Sequence, residues 1–174
     1  MTQYTFFPDP AQAPPPLVAT RYAPIYRVTL VREGQLPYSS PLRHSSDVAA
    51  FLRPHFANLD REHFVVLLLS IKNRVIGCNT VAIGSLTAAT VHPREVYKPA
   101  ILANAAAVLF AHNHPSGDVA PSAQDKTLTA RLIMAGDVLG MQVLDHLILG
   151  DEGYYSFADA GELHGLHGKL EAGE

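Results

Sequence analysis

Ala111-His112-Asn113-His114-Pro115-Ser116-Gly117-Asp118-Val119-Ala120-Pro121-Ser122-Ala123-Gln124-Asp125 places two histidines, a serine and a carboxylate at spacings that suit one metal ion. The small apolar run before it, Ala105 to Ala111, reads as a fully buried strand. Side chains alternate along a strand with period two, so His112 and His114 leave its C-terminal end on one side and Asn113 on the other. Pro115-Ser116-Gly117 shapes a turn, after which Asp125 can return as a third ligand. Zinc takes nitrogen and oxygen donors at about 2.0–2.2 Å, and three protein ligands leave a fourth position for water, as in catalytic rather than structural sites. Ser122 and Asp125 also form Ser-x-x-Asp, which doubles as a helix capping box. Half-buried histidines at a strand end and an ordinary helix cap explain each half of the stretch, but not their joint spacing.

Working outward, Ser122 to Leu139 predicts a long helix with Leu128, Leu132, Ala135 and Leu139 along one face and Gly140 at its end. Val143 to Leu149 and Tyr154 to Phe157 predict two closing strands around a Gly150 to Gly153 turn. Upstream, Phe64 to Ser70 is a continuous apolar run, Lys72-Asn73-Arg74 a turn, and Val75 to Ile83 a second strand, together a β-hairpin at the heart of the sheet. Pro93 suits the first turn of a helix running to about Asn104. Val48, Phe51, Leu52 and Phe56 give helical spacing to Asp47 to Ala57, behind a serine cap at Ser45 or Ser46. Pro24 to Arg32 reads as a strand followed by a turn at Glu33-Gly34-Gln35. Residues 1–24, with Pro14-Pro15-Pro16, read as a flexible Pro-rich arm, and residues 161–174 as a tail whose His164 and His167 could bind metal adventitiously but read as solvated. Mixed α and β order of this kind predicts helices packed on a central sheet.

At 174 residues, with 48% hydrophobic and 17% charged content, the chain suits one globular domain. A single cysteine, Cys78, forms no intramolecular disulfide and fits a reducing cytoplasm, where it reads as structural. No signal peptide is legible and no stretch approaches eighteen uninterrupted apolar residues, so a soluble cytoplasmic protein without membrane contact is expected. The formal net charge of −3 gives DNA binding no support, because nucleic-acid partners usually select a basic face.

The order His-x-His, seven residues, Ser-x-x-Asp resembles the JAMM signature of the JAB/MPN metallopeptidases. The flanking text, Leu68 to Gly77, Val91 to Ala100, His112 to Asp118 and Val143 to His146, resembles the bacterial RadC branch over roughly residues 46–160. The resemblance implies an α/β protein: a single three-layer α/β/α JAB/MPN domain over residues 25–160, similar to cytidine deaminases, with a mixed central sheet. It implies one Zn2+ per chain on His112, His114 and Asp125, and cleavage of an amide or isopeptide bond in an unidentified peptide or protein. In JAMM enzymes the general base is a glutamate just before the first central strand, the place of Glu62, fifty positions upstream of His112. Its competitors are a surface role for Glu62 beside Arg61, and Glu95, which a helix dipole alone would favour in a first turn. Ser122 would donate a hydrogen bond to the oxyanion of the tetrahedral intermediate. Asp118 could approach the ion from behind its ligands, and Asp145-His146 could tune a ligand through a hydrogen bond, but a solvated loop carboxylate and structural burial account for them, and they stay outside the catalytic set. Two other functions stay open: a DNA-repair-associated or DNA-processing factor, after the family's name, and a non-catalytic metal-binding scaffold. Full-length RadC-like chains resemble a two-part protein with an N-terminal helix-hairpin-helix region, of which this sequence has no legible counterpart.

Overall fold

A computed structural model of the chain describes residues 23–36, 42–84, 91–163 and 165–166. In chain order the elements are α1 (Ser45–Phe56), β1 (His63–Leu69), β2 (Val75–Ile83), α2 (Pro93–Leu102), β3 (Ala107–Asn113), α3 (Ala123–Leu139), β4 (Gln142–Leu149) and β5 (Tyr154–Ser156). They form a five-stranded sheet of order β2-β1-β3-β4-β5. β1 runs antiparallel to both neighbours, β3 and β4 are parallel across the α3 crossover, and β4 and β5 are antiparallel, so the sheet is mixed as expected.

Alternation along the strands sorts the core into two layers. Phe64, Val66 and Leu68 of β1 and Val108 and Phe110 of β3 face α2 and α3, packing with Val96, Tyr97, Leu128 and Leu132. Val65, Leu67, Leu69, Leu109 and Ala111 face the other way, onto Val48, Leu52 and Phe56 of α1. Helices therefore cover both faces of the sheet in the three-layer arrangement that the JAB/MPN resemblance implies. All seven residues of β3 are buried, because the central strand has helices above and below and strands on either side.

The hairpin expected at the centre is displaced: β1 is internal, but β2 is an edge strand, mostly half-exposed, and β3 holds the middle. Asn73, in the left-handed region at φ 53°, makes the tight turn between them. Residues 24–32 form no strand, and no turn follows at residues 33–35. Ile25 and Tyr26 are 100% and 81% exposed, so the apolar side chains that suggested a strand find no buried face here. α1 starts one residue ahead of the expected serine caps, with His44 as N-cap, and Asp47 Oδ2 accepts the backbone N–H groups of Arg43 and His44 at 2.8 and 3.0 Å. Residues 1–22 of the proline-rich arm, and His164 and His167 of the tail, lie outside the described residues. Among the described residues no helix is long and apolar enough to cross a membrane.

Candidate metal centre

β3 delivers His112 at its C-terminal end on the α3 side of the sheet, the side of Val108 and Phe110. The chain then leaves the strand and turns at Ser116-Gly117, with His114 N–H donating to the Leu149 carbonyl at 2.8 Å and Gly117 N–H to the His114 carbonyl at 3.0 Å. Gly117 has φ +81°, and a Cβ on Gly150 would lie 2.4 Å from the Gly117 carbonyl oxygen. Two glycines thus let the His114 loop and the β4–β5 turn meet backbone to backbone.

Asp125 sits in the first turn of α3, and the predicted capping box is present. Asp125 N–H donates to Ser122 Oγ at 3.1 Å, and Ser122 N–H donates back to Asp125 Oδ2 at 2.8 Å. The Ser122 hydroxyl also donates to that carboxylate oxygen, at 2.6 Å. Cap and cluster are one structure: the bonds that start the helix fix the Asp125 carboxylate against the histidines.

His112, His114 and Asp125 each offer one ligand atom, and these atoms all lie within 4.8 Å of one another. The Nε2 atoms of the two histidines are 3.0 Å apart, and the Asp125 oxygens lie 3.3 Å from His112 Nε2 and 3.7 Å from His114 Nε2. Both Nδ1 atoms point away and are anchored, His112 to His146 Nε2 at 2.9 Å and His114 to the Asp118 carbonyl at 2.5 Å. Two imidazoles held at Nδ1 and converging through Nε2 on a carboxylate form a donor set that fits a divalent cation such as zinc.

The electrostatics agree. Burial, reinforced by His146, holds His112 well below the ordinary histidine value, so its imidazole is neutral and a competent ligand. His114 is held above its ordinary value by the Asp125 carboxylate beside it, against the opposing effect of burial. Burial pushes Asp125 up, but His114, His112 and Ser122 together outweigh it and keep the carboxylate well below its usual range.

Glu62 reaches this end of the sheet through strand register. β1 pairs with β3 with Phe64 opposite His112, so Glu62, two residues before Phe64, lies at the end of the sheet that carries the cluster. Glu62 is half-buried, and its charge contributes to the raised His114. The backbone around it is pinned on three sides. Asn113 Oδ1 accepts the His63 N–H at 2.7 Å, Asn113 Nδ2 donates to the Arg61 carbonyl at 2.9 Å, and Gly84 N–H donates to the Glu62 carbonyl at 2.8 Å. Asn113 thus faces away from the cluster, as alternation predicts. Glu95 lies in the first turn of α2, where its carboxylate pairs with Lys98 at 2.7 Å and Arg94 at 3.5 Å on the surface.

Asp118 contributes its backbone carbonyl to His114, while its side chain accepts the Ala120 N–H at 2.9 Å within the loop. Asp145 and His146, adjacent on β4, divide their tasks. Asp145 Oδ1 accepts the N–H groups of His146 and Ala158 at 2.7 and 2.9 Å, and Oδ2 accepts the Ser156 hydroxyl, so it ties β4 to the turn after β5. His146, which the sequence reading set aside, touches His112 directly and continues to Thr129 Oγ1 at 2.6 Å. Sequence reasoning missed Thr129, although its position four residues after Asp125 places it on the same face of α3.

Comparison with known proteins gives a match of the RadC-like JAB domain family model to residues 42–162. A UPF0758 protein of Rubrobacter xylanophilus is 51% identical over 138 residues, covering 79% of this chain and 59% of that relative. UPF0758 proteins of Symbiobacterium thermophilum and Syntrophotalea carbinolica are 53% identical over 118 residues and 48% identical over 134 residues. The chain spans between 50% and 59% of the length of these three relatives.

Proposed function

This chain belongs to the RadC-like JAB domain family, and from that premise we propose that it is a zinc-dependent hydrolase of amide or isopeptide bonds. The observation that carries the reading is the convergence of His112 Nε2, His114 Nε2 and the Asp125 carboxylate within 4.8 Å, with both remaining ring nitrogens anchored. His112, His114 and Asp125 would hold the ion. Zinc bound there with a fourth position for water would lower the pKa of that water from about 15.7 toward about 7 and polarise the scissile carbonyl.

Glu62 is the general base in this reading: it takes the proton of the attacking water and returns it to the leaving amine. Its charge already acts on His114, and the Asn113 bonds to Arg61 and His63 hold the backbone that carries it. Glu95 is already engaged in an exposed ion pair with Lys98. Ser122 supplies an oxyanion donor once its hydroxyl turns from Asp125 toward the substrate. The fully buried His112, with the Phe64 ring stacked on it at 6.2 Å, gives the cluster an apolar floor in which such interactions gain strength.

Elemental analysis of the wild type beside His114→Ala and Glu62→Gln, with circular dichroism on all three, tests the reading. About one equivalent of zinc is expected in the wild type and Glu62→Gln, and none in a still-folded His114→Ala. In a screen of peptide and isopeptide substrates, Glu62→Gln should lower turnover by about 10² to 10⁴-fold, the size of a general-base contribution. Unfolding of His114→Ala would point instead to a structural metal in a scaffold. A wild type that takes up no zinc on reconstitution would overturn the reading.

A further inference from the structure

Thr129, His146 and His112 form an unbroken hydrogen-bonded row, each fully buried. Thr129 Oγ1 lies 2.6 Å from the Asp125 backbone carbonyl and 2.6 Å from His146 Nδ1, and His146 Nε2 lies 2.9 Å from His112 Nδ1. The row closes on Asp125, the residue whose carboxylate completes the cluster. Phe157 stacks on the His146 ring at 5.2 Å, and Phe64 and Phe110 meet it edge-on at 5.5 and 6.1 Å, leaving the row enclosed by aromatic carbon.

Counting protons along the row fixes its direction. Each contact at these distances needs one hydrogen, and a carbonyl oxygen has none to give. The single Thr129 hydroxyl proton therefore goes to the Asp125 carbonyl. The contact between Thr129 Oγ1 and His146 Nδ1 must then take its proton from His146. An imidazole fully buried in this aromatic box, with no carboxylate on its ring, is neutral. With its one proton on Nδ1, His146 can only accept at Nε2, so His112 donates from Nδ1.

We infer that Thr129 and His146 are positioning residues that lock His112 in the tautomer protonated on Nδ1, with a bare Nε2 lone pair aimed at His114 and Asp125. The purpose of the lock rests on the zinc reading, because a ligating imidazole needs that lone pair. Its existence rests on the row alone. One helix thereby supplies both the carboxylate of the cluster, from Asp125, and through Thr129 the tautomer of the histidine facing it.

The test uses the full chain as wild type, Thr129→Val, which keeps the shape and removes the hydroxyl, and Thr129→Ser, which restores it. Long-range ¹⁵N–¹H correlation of the imidazole rings in metal-free protein reads the tautomers directly, and titration against a chromophoric chelator reads zinc affinity. Wild type and Thr129→Ser should show His112 and His146 both protonated on Nδ1. Thr129→Val should lose that fixed pair and bind zinc about 10 to 100-fold more weakly, as is typical when the partner of a ligating histidine is disturbed. Thr129→Ser should bind like the wild type. A wild-type His112 protonated on Nε2, or a folded Thr129→Val with unchanged tautomers and affinity, would overturn the inference. Should Thr129→Val fail to fold, the wild-type tautomers alone still decide it. A wild type that takes up no zinc yet shows the Nδ1 pair would sink the hydrolase reading and uphold the lock.

Discussion

Asn113 stands between two candidate ligands and does a different job from either. Its amide bonds the Arg61 carbonyl and the His63 N–H, holding the chain on both sides of Glu62. Of the common side chains only an amide of this length offers an acceptor and a donor side by side in the plane that two backbone groups require. Asn113→Leu keeps the approximate volume and leaves both backbone groups without that partner, which should cost about 1–3 kcal/mol. Urea unfolding checks this, and a midpoint equal to that of the wild type would mean that water replaces the amide. Cys78 is a residue of the opposite kind: burial pushes its thiol up to about 11, so it fits the inert, structural part expected of it.

Among the elements, the loop after β3 depends most on backbone contact. It carries His114, and Gly117 and Gly150 let it approach the β4–β5 turn more closely than any side chain would permit. Arg53 of α1 supports that turn from the far side, donating to the Gly150 carbonyl at 3.0 Å and to the carbonyls of Asp151 and Glu152. Gly150→Ala sets a methyl group against the Gly117 carbonyl, and relief by backbone movement should cost about 1–3 kcal/mol. Because the shift falls on the His114 loop, zinc affinity should drop together with the melting temperature. A lower melting temperature with unchanged zinc affinity would show that the turn yields and leaves His114 in place.

Across the whole molecule, the buried histidines make the stability of the metal-free chain depend on pH. His146 titrates at about 4 when folded, against 6.5 for an ordinary histidine. As pH falls below 6.5 the unfolded chain takes up this proton first and is favoured, so the contribution is present at neutral pH and is lost between about 6.5 and 4. From that pair of values the loss between pH 8 and pH 5 is about 2 kcal/mol, and His112, held low by the same burial, acts in the same direction. His114 acts the other way: its raised value adds stability that is fully present below 6.5 and fades as pH rises through the folded value. Urea midpoints of the metal-free protein should therefore fall from pH 8 to pH 5, and His114→Ala should steepen the fall. A midpoint that does not change over this range would contradict the buried neutral state of His146.

Most of the fold and the cluster could be read from the sequence because both depend on local spacing. His112 and His114 share a side because strands alternate, Asp125 is placed by the helix cap it makes with Ser122, and the Phe64 to Ser70 and Ala105 to Ala111 runs foretell buried strands within two residues of β1 and β3. What local spacing cannot encode is which strand lies beside which. Only tertiary pairing decided that β2 takes the edge, that residues 24–32 form no strand, and that the pairing of Phe64 with His112 brings the charge of Glu62 to bear on His114. The row from Asp125 through Thr129 and His146 to His112 was hidden for the same reason. Its members come from three elements, and nothing in the sequence joins them until the parallel pairing of β3 with β4 sets His146 beside Phe110 and α3 packs across both.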